Sequence, residues 1–201
     1  MYSPTYNKLE NRAELLQFLR ENNFPILVTG TGGVLHASHL PITVHEQETQ
    51  IVIDMHMAKN NPQWKEFLDD EVMVIFSGPH AYVSPRWYAD QERVPTWNYA
   101  AVHAYGVPEI VSDRKAKAES QRRLIESLDP EWLPKHDALS QKYVDQMLDG
   151  IVNFSIPVTR METRWKLSQN RGRREMELIA AALAESGEAA LAQLTRKHTV
   201  Q

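Results

Sequence analysis

The sequence predicts an α+β fold of mainly β character, an antiparallel barrel decorated with helices. Short apolar runs joined by turn signals fill the first half, one helix stands between strands, and strand patterning returns late, at Val152–Arg164. A doubly wound α/β fold is disfavoured, because strands do not alternate regularly with helices and no glycine-rich strand-to-helix fingerprint is present.

Residues 11–22 carry Leu15, Leu16, Phe18 and Leu19 at helical spacing, with Asn11 as cap, and Pro25 ends that helix. Ile26–Thr29 runs into the turn GTGG, and Val34–Val44 continues as a second extended segment, which together read as a β-hairpin. The tract HEQETQ predicts a turn before a strand at Ile51–Met55. Asn61 as cap and Pro62 at the first helical position predict a short helix, with Trp64, Phe67 and Leu68 on one face. Further strands are expected at Glu71–Phe76 and His103–Val111, the latter marked by Gly106 and Pro108 as a bulge or an edge.

After Asp113 the character changes. RKAKAESQRRLIESL reads as a charged helix capped by Ser112 or Asp113, and Ser140–Leu148 as another ending at Gly150. Residues 113–150 therefore form a helical insertion in a domain of residues 1–174, followed by a helical tail at 175–201. In the late strand Val152, Phe154, Ile156 and Val158 alternate with polar or turn residues, and Pro157 argues for an edge position. From Arg173 to Lys197 the helical spacing is interrupted at Ser186-Gly187, and its apolar positions Leu178, Ile179, Leu183, Leu191 and Leu194 read as packing or dimer contacts.

Composition narrows the functional classes. The chain has 201 residues and no cysteine, which removes disulfides, thiolate metal sites and a thiol nucleophile. With 22 basic against 26 acidic residues the net charge is −4, so there is no global attraction to nucleic acid. No apolar run approaches the roughly 18 residues of a membrane span and no hydrophobic signal core opens the chain, which predicts a cytoplasmic protein.

Most informative is GPHAYVSPRWYADQERVPTWNYAAVHAYG, residues 78–106, with two histidines, two tryptophans and four tyrosines. Amphipathic rings at this density suit a wall that holds a flat ligand or a partner surface, since each offers contact area and a polar edge. HMAKNNPQW at 56–64 places Lys59 and Asn60 between a strand end and a helix start, where free N–H groups, the helix dipole and an ammonium favour phosphate. Between Arg160 and Arg174 six cations face one acid, Glu162, which suits closure over an anionic ligand with Lys166, Ser168 and Gln169 as donors, contact with nucleic-acid phosphates, or an exposed basic turn. Metal binding is disfavoured: His36 and His39 point to opposite faces of a strand, and His80 and His103 have no carboxylate at ligand spacing.

Five segments, HLPI at 39–42, HMAKNNPQW at 56–64, GPHAYVSPRWY at 78–88, VPTWNYAAVHAYG at 94–106 and KLSQNR at 166–171, resemble the PaiB family, described as FMN-binding negative transcriptional regulators of bacteria. The resemblance implies a flavin-binding split β-barrel related to pyridoxamine-phosphate oxidases. It also implies a homodimer with FMN at the interface, and repression of sporulation and degradative protease genes. By motif position it assigns Lys59 and Asn60 to the phosphate, His39, Leu40 and Pro41 to a strand lining the flavin ring, and Trp97, Asn98 and Tyr99 to a ring-facing or ribityl-facing wall. Lys166, Ser168 and Gln169 belong to its last motif. No DNA-reading module accompanies these segments.

Other functions stay open at this level. Bound flavin could serve a flavin-dependent oxidoreductase, with His39, His80, His103 and Tyr99 available as acids or bases. DNA could be held by the arginines at 171–174 together with Arg114, Lys115, Lys117, Arg122 and Arg123. A haem could replace the flavin with His103 or His80 as axial ligand.

Overall fold

Gly32 and Gly33 both take positive φ, 60° and 83°, in the two-residue loop between β1 (Ile26–Thr31) and β2 (Val34–His39). That backbone matches the twist of antiparallel strands and fixes the pairing of Thr31 with Val34 and of Ile26 with His39. The computed structural model describes residues 1–67, 70–89 and 92–199, so Leu68 of the expected helical face lies outside the described residues. Further strands are β3 (Ile42–Gln47), β4 (Gln50–Ala58), β5 (Val72–Val83), β6 (Thr96–Gly106), β7 (Glu109–Val111) and β8 (Ile151–Lys166). The helices are α1 (Arg12–Glu21), α2 (Arg114–Leu128), α3 (Leu133–Asp137), α4 (Gln141–Asp149), α5 (Arg173–Glu185) and α6 (Ala189–Lys197). The strands form one eight-stranded sheet in the order β2-β1-β5-β6-β8-β4-β3, with β7 beside β8.

The chain divides into two units, one of Met1–Phe18, Ser77–Val102 and Glu162–Gln201, the other of Leu19–Phe76 and His103–Met161. In the second, β3 and β4 form a hairpin, β4 pairs with β8 and β7 pairs with β8, all antiparallel. One face of β4 and β8 buries Ile53, Met55, Phe154 and Ile156 at 2% exposure or less. The other carries Asp54, whose carboxylate accepts from Arg123 of α2 and from Ser155, both at 2.7 Å. Caps begin the helices here: the Asp113 side chain accepts from Ala116 N and Ser140 from Tyr143 N, each worth about 1 kcal/mol. At Gly106 a Cβ would lie 2.3 Å from the Pro157 carbonyl oxygen, so the backbones approach in a way only glycine permits.

In the first unit Phe18 of α1 tilts against the fully buried Trp165 of β8, ring centroids 4.7 Å apart. Burying rings of this size contributes roughly 1.5–3 kcal/mol each. α5 and α6 break at Gly187 (φ 91°) and bury Met176, Ile179, Leu183 and Leu191, whereas Leu178 is exposed.

Several expectations need correction. Val34–Val44 is two strands, because Leu40 and Pro41 interrupt it and β3 pairs with β4. The strand expected at Glu71–Phe76 continues to Val83, and the one expected at His103–Val111 is the end of β6 plus the short β7. Pro157 is not on an edge strand: β8 has neighbours on both sides, and the proline is tolerated at the last pair of the β4–β8 ladder, opposite Val52. The helix at Pro62–Glu66 is a 3-10 turn.

Candidate functional site

The aromatic segment folds as strand, connection and strand. Along β5 burial alternates through Val72, Val74, Phe76 and Gly78, then slips, so that Ala81 and Val83 are the next buried pair. One extra residue at Gly78–His80 resets the phase, and the His80 Nδ1 lies 3.0 Å from the Gly78 carbonyl oxygen, as a bulged strand allows. The slip turns His80 and Tyr82 outward. On β6 the alternation is regular: Asn98, Ala100 and Val102 are buried, while Trp97 points to solvent at 54% exposure.

Ser77, Gly78, His80, Trp97, Tyr99, Ala100 and Ala101 line a groove of about 380 Å³ in the first unit. Its walls are rings, with His80 and Tyr82 at 6.3 and 6.4 Å from Trp97. Small residues leave the floor between them flat. Two cations attend this wall: the Arg164 guanidinium lies 5.6 Å from the Tyr99 centroid, and the Lys166 ammonium donates to the Trp97 carbonyl at 2.8 Å and to the Thr96 hydroxyl. Burial, reinforced by Arg164, holds that ammonium below its ordinary range.

Asn98 stands apart from its neighbours Trp97 and Tyr99. Fully buried, it accepts from the Ser168 hydroxyl at 3.0 Å, and its own amide nitrogen has no partner among the described residues. Ser168 holds a positive φ of 67°, and Gln169 folds back to accept from Leu167 N at 2.8 Å and donate to the Trp165 carbonyl. Ser168 and Gln169 therefore shape the turn after β8, and Lys166 alone of that motif reaches the ring wall.

The remaining predicted residues lie in the second unit. His39 is exposed and stacks on Phe24 at 5.8 Å, Leu40 is buried, and Pro41 is half-buried. Lys59 and Asn60 are exposed in the turn after β4. The Asn61 amide donates to Ser38 Oγ at 3.1 Å, which ties this turn to the His39 segment. Most backbone amides here are already bonded: Lys59 N donates to Gly150 O, Asn61 N to Ala58 O, and Gln63 N to the Asn61 cap, while Pro62 has no donor. The cation and the Asn60 amide are what this turn offers an anion.

The basic clusters are largely neutralised within their own units. On α2, Arg114 pairs with Asp145 and Asp149, Arg122 with Asp137, and Arg123 with Asp54, while Lys117 donates to the Leu148 and Ile151 carbonyls. Arg160 pairs with Glu71 and covers the Tyr105 ring, and Arg171 covers Tyr88. Arg173 and Arg174 are exposed.

A family model described as "Putative FMN-binding domain" matches residues 1–160. The chain belongs to this family. FMN is the cofactor that the description of this FMN-binding family carries. "Protease synthase and sporulation protein PAI 2" of Bacillus subtilis is 40% identical over 179 residues, spanning 85% of this chain and 83% of that protein. Several solved structures share the fold. The flavocytochrome Anf3 from Azotobacter vinelandii superposes with a TM-score of 0.62 at 15% identity, over 78% of this chain and 68% of its own. The FAD and heme binding protein from Mycobacterium smegmatis gives 0.60 at 14% identity, over 79% and 72%. The flavin-binding split-barrel fold expected from the sequence is borne out.

The groove fits the planar part of the FMN that names this family. Its volume lies within the roughly 300–1,000 Å³ of small-molecule sites, its floor is free of bulky side chains, and its rings can stack. Sequence reasoning missed Ser77, Ala100 and Ala101 as floor and Arg164 as the cation over Tyr99. A strict two-residue period across TWNYAAVHAYG was the signal that could have separated Asn98 from Trp97 and Tyr99.

Proposed function

We propose that this protein is an FMN-binding regulator of the PaiB kind, with the flavin ring seated against Trp97, Tyr99 and His80. The observation that carries this reading is the half-exposed ring wall over a flat floor, in a chain whose family is described by FMN. An indole open to solvent over half its surface gains most when a planar ring covers it. Titrating the purified protein with FMN and following flavin fluorescence tests it: saturable quenching is expected, and none up to about 1 mM, where binding free energy is only about −4 kcal/mol, overturns it.

Lys59 and Asn60 are proposed as phosphate contacts, His39, Leu40 and Pro41 as a ring-lining segment, and Lys166 as a cation at the wall; Ser168, Gln169 and Asn98 act by holding the turn after β8. The exposure of Trp97 and Tyr82 supports a homodimer in which a second copy covers the wall, and sedimentation with and without FMN tests that. Repression of sporulation and protease genes, in the cytoplasm, is supported by the likeness to the Bacillus subtilis protein. Among the described residues no helix is long and apolar enough to cross a membrane. Because the α2 cations are paired internally, control through a partner or metabolite is favoured over phosphate contacts by this helix. A mobility shift at low salt that disappears as salt rises would reverse that preference.

A further inference from the structure

The helical insertion encloses a second cavity, separate in its residues from the ring-lined groove. It has a volume of about 320 Å³ and lies among α2, the α3–α4 segment and the outer face of β4 and β8. Ile125, Leu139, Val144 and Met147 supply apolar wall, and His56 and Gln121 supply polar groups. Leu139 and Met147 are exposed, at 37% and 52%, so the apolar lining opens to solvent. Lys117 braces the wall by donating to the carbonyls of Leu148 and Ile151 at 2.7 and 3.1 Å.

The polar groups at this place are left incomplete by the protein. His56 pairs in register with Asn153 across β4 and β8, which puts the two side chains next to one another on one face. Asn153 is 1% exposed, and neither its amide oxygen nor its amide nitrogen has a partner among the described residues. The His56 and Gln121 side chains likewise make no hydrogen bond among the described residues, while His136, also at the cavity, turns its Nδ1 to Asp137 at 3.3 Å. Buried polar groups in folded proteins are nearly always paired, so unpartnered buried carboxamide atoms beside a free imidazole ask for a further group.

The charges nearby decide what kind of group. Arg114 and Arg122 are engaged by Asp145, Asp149 and Asp137, Lys117 by two carbonyls, and Lys59, which after burial helps to lower the Lys117 pKa, is not among the residues lining the cavity. Burial holds the His56 imidazole below the ordinary histidine range, so it stays neutral, with one donor and one acceptor. A carboxylate would thus be desolvated with no lysine or arginine lining the cavity, whereas an amide or alcohol would match carboxamide and imidazole.

We propose that the insertion forms a binding site for a small uncharged molecule with an apolar body and one hydrogen-bonding head group, received by His56 and Gln121, with Asn153 beside His56, between α2, α4 and the sheet. The site shares no lining residue with the flavin groove. The volume stands near the lower end of the range for ligand sites, which sets the size of the occupant.

Hexanamide and hexanoate, equal in apolar body and different in charge, are the probes. The full chain labelled at its methionine methyl groups is titrated with each, with the Met147 signal assigned by Met147→Leu. Hexanamide is expected to shift Met147 saturably with a dissociation constant of about 1 mM or tighter. Hexanoate should bind about tenfold more weakly, as expected for an unpaired charge. His56→Leu should weaken hexanamide about fivefold, by loss of a neutral hydrogen bond. Val144→Trp should abolish the shift; circular dichroism verifies its fold, and His56→Leu serves alone should it not fold. A Met147 signal indifferent to hexanamide overturns the proposal, as does equal binding of the two probes. So does self-association that Val144→Trp removes, which would make the cavity a seat for another copy. FMN titration of the same samples reads the groove independently, so failure of one site is not mistaken for failure of the other.

Discussion

Replacing Trp97 by alanine removes the largest ring of the groove while leaving its backbone carbonyl to hold Lys166. The indole is 54% exposed. Of the roughly 150–250 Å² such a side chain can bury, about 100 Å² is therefore open, and a planar ligand lying on it would cover about 80 Å². At about 25 cal/mol per Å² that contact contributes about 2 kcal/mol, and stacking geometry adds about 1 kcal/mol. Alanine should therefore weaken FMN about 100-fold, and phenylalanine, which keeps a smaller ring, about tenfold. The fold should hardly notice, since exposed substitutions stay within about 0.5 kcal/mol. Fluorescence titration of FMN against wild type and both variants, with matched circular dichroism, measures the series. A loss below about threefold for alanine in a folded protein would refute the ring wall as the flavin seat, because no arrangement covering the indole gives so little.

Lys59→Ala should weaken FMN about tenfold at low salt, less at high salt, and leave riboflavin, which lacks the phosphate, unchanged; equal effects on both ligands would remove Lys59 from the phosphate. Gly106→Ala forces a Cβ to 2.3 Å from the Pro157 oxygen, a backbone atom with no room to yield, and should cost roughly 1–3 kcal/mol or more in urea denaturation. Glu14 predicts an acid limb. Burial pushes its carboxyl up, but His198 at 2.8 Å and Lys197 at 3.1 Å outweigh this and hold it below the ordinary value of 4.5. Its contribution is therefore complete above that value and disappears as pH falls through the lower folded-state value. Glu14→Gln should reduce stability near neutrality and flatten the decline in acid; an unchanged thermal midpoint-versus-pH curve would refute this.

What could be read from the sequence was what neighbouring residues decide. The Gly32-Gly33 turn, the caps Asn11 and Asn61, the capped helix start at Ser112 or Asp113, and the break at Ser186-Gly187 all act within a few positions, so residue type sufficed. The aromatic wall was recognised as a composition but not as a pair of strands, because Gly78 and Pro79 read as punctuation while the sheet carries β5 through them. Pro157 misled for a related reason: whether a missing N–H matters depends on the partner strand, and Val52 is remote in the chain. The roles of Ser168 and Gln169 escaped because a turn's internal hydrogen bonds and a site's donors use the same residue types. The cavity under the insertion gave no signal, since His56 and Asn153 become neighbours only through pairing.

The bulge at Gly78–His80 makes the outer surface of β5 a matter of counting. Running the same residues on as a regular strand would keep every side chain's chemistry yet turn the rest of the strand to the opposite face. Ala81 and Val83 would then face water while an imidazole and a phenol were driven into the interior. The recognition surface thus depends on parity as much as on residue type, and a shuffled or grafted version must either keep the bulge or drop one residue with it.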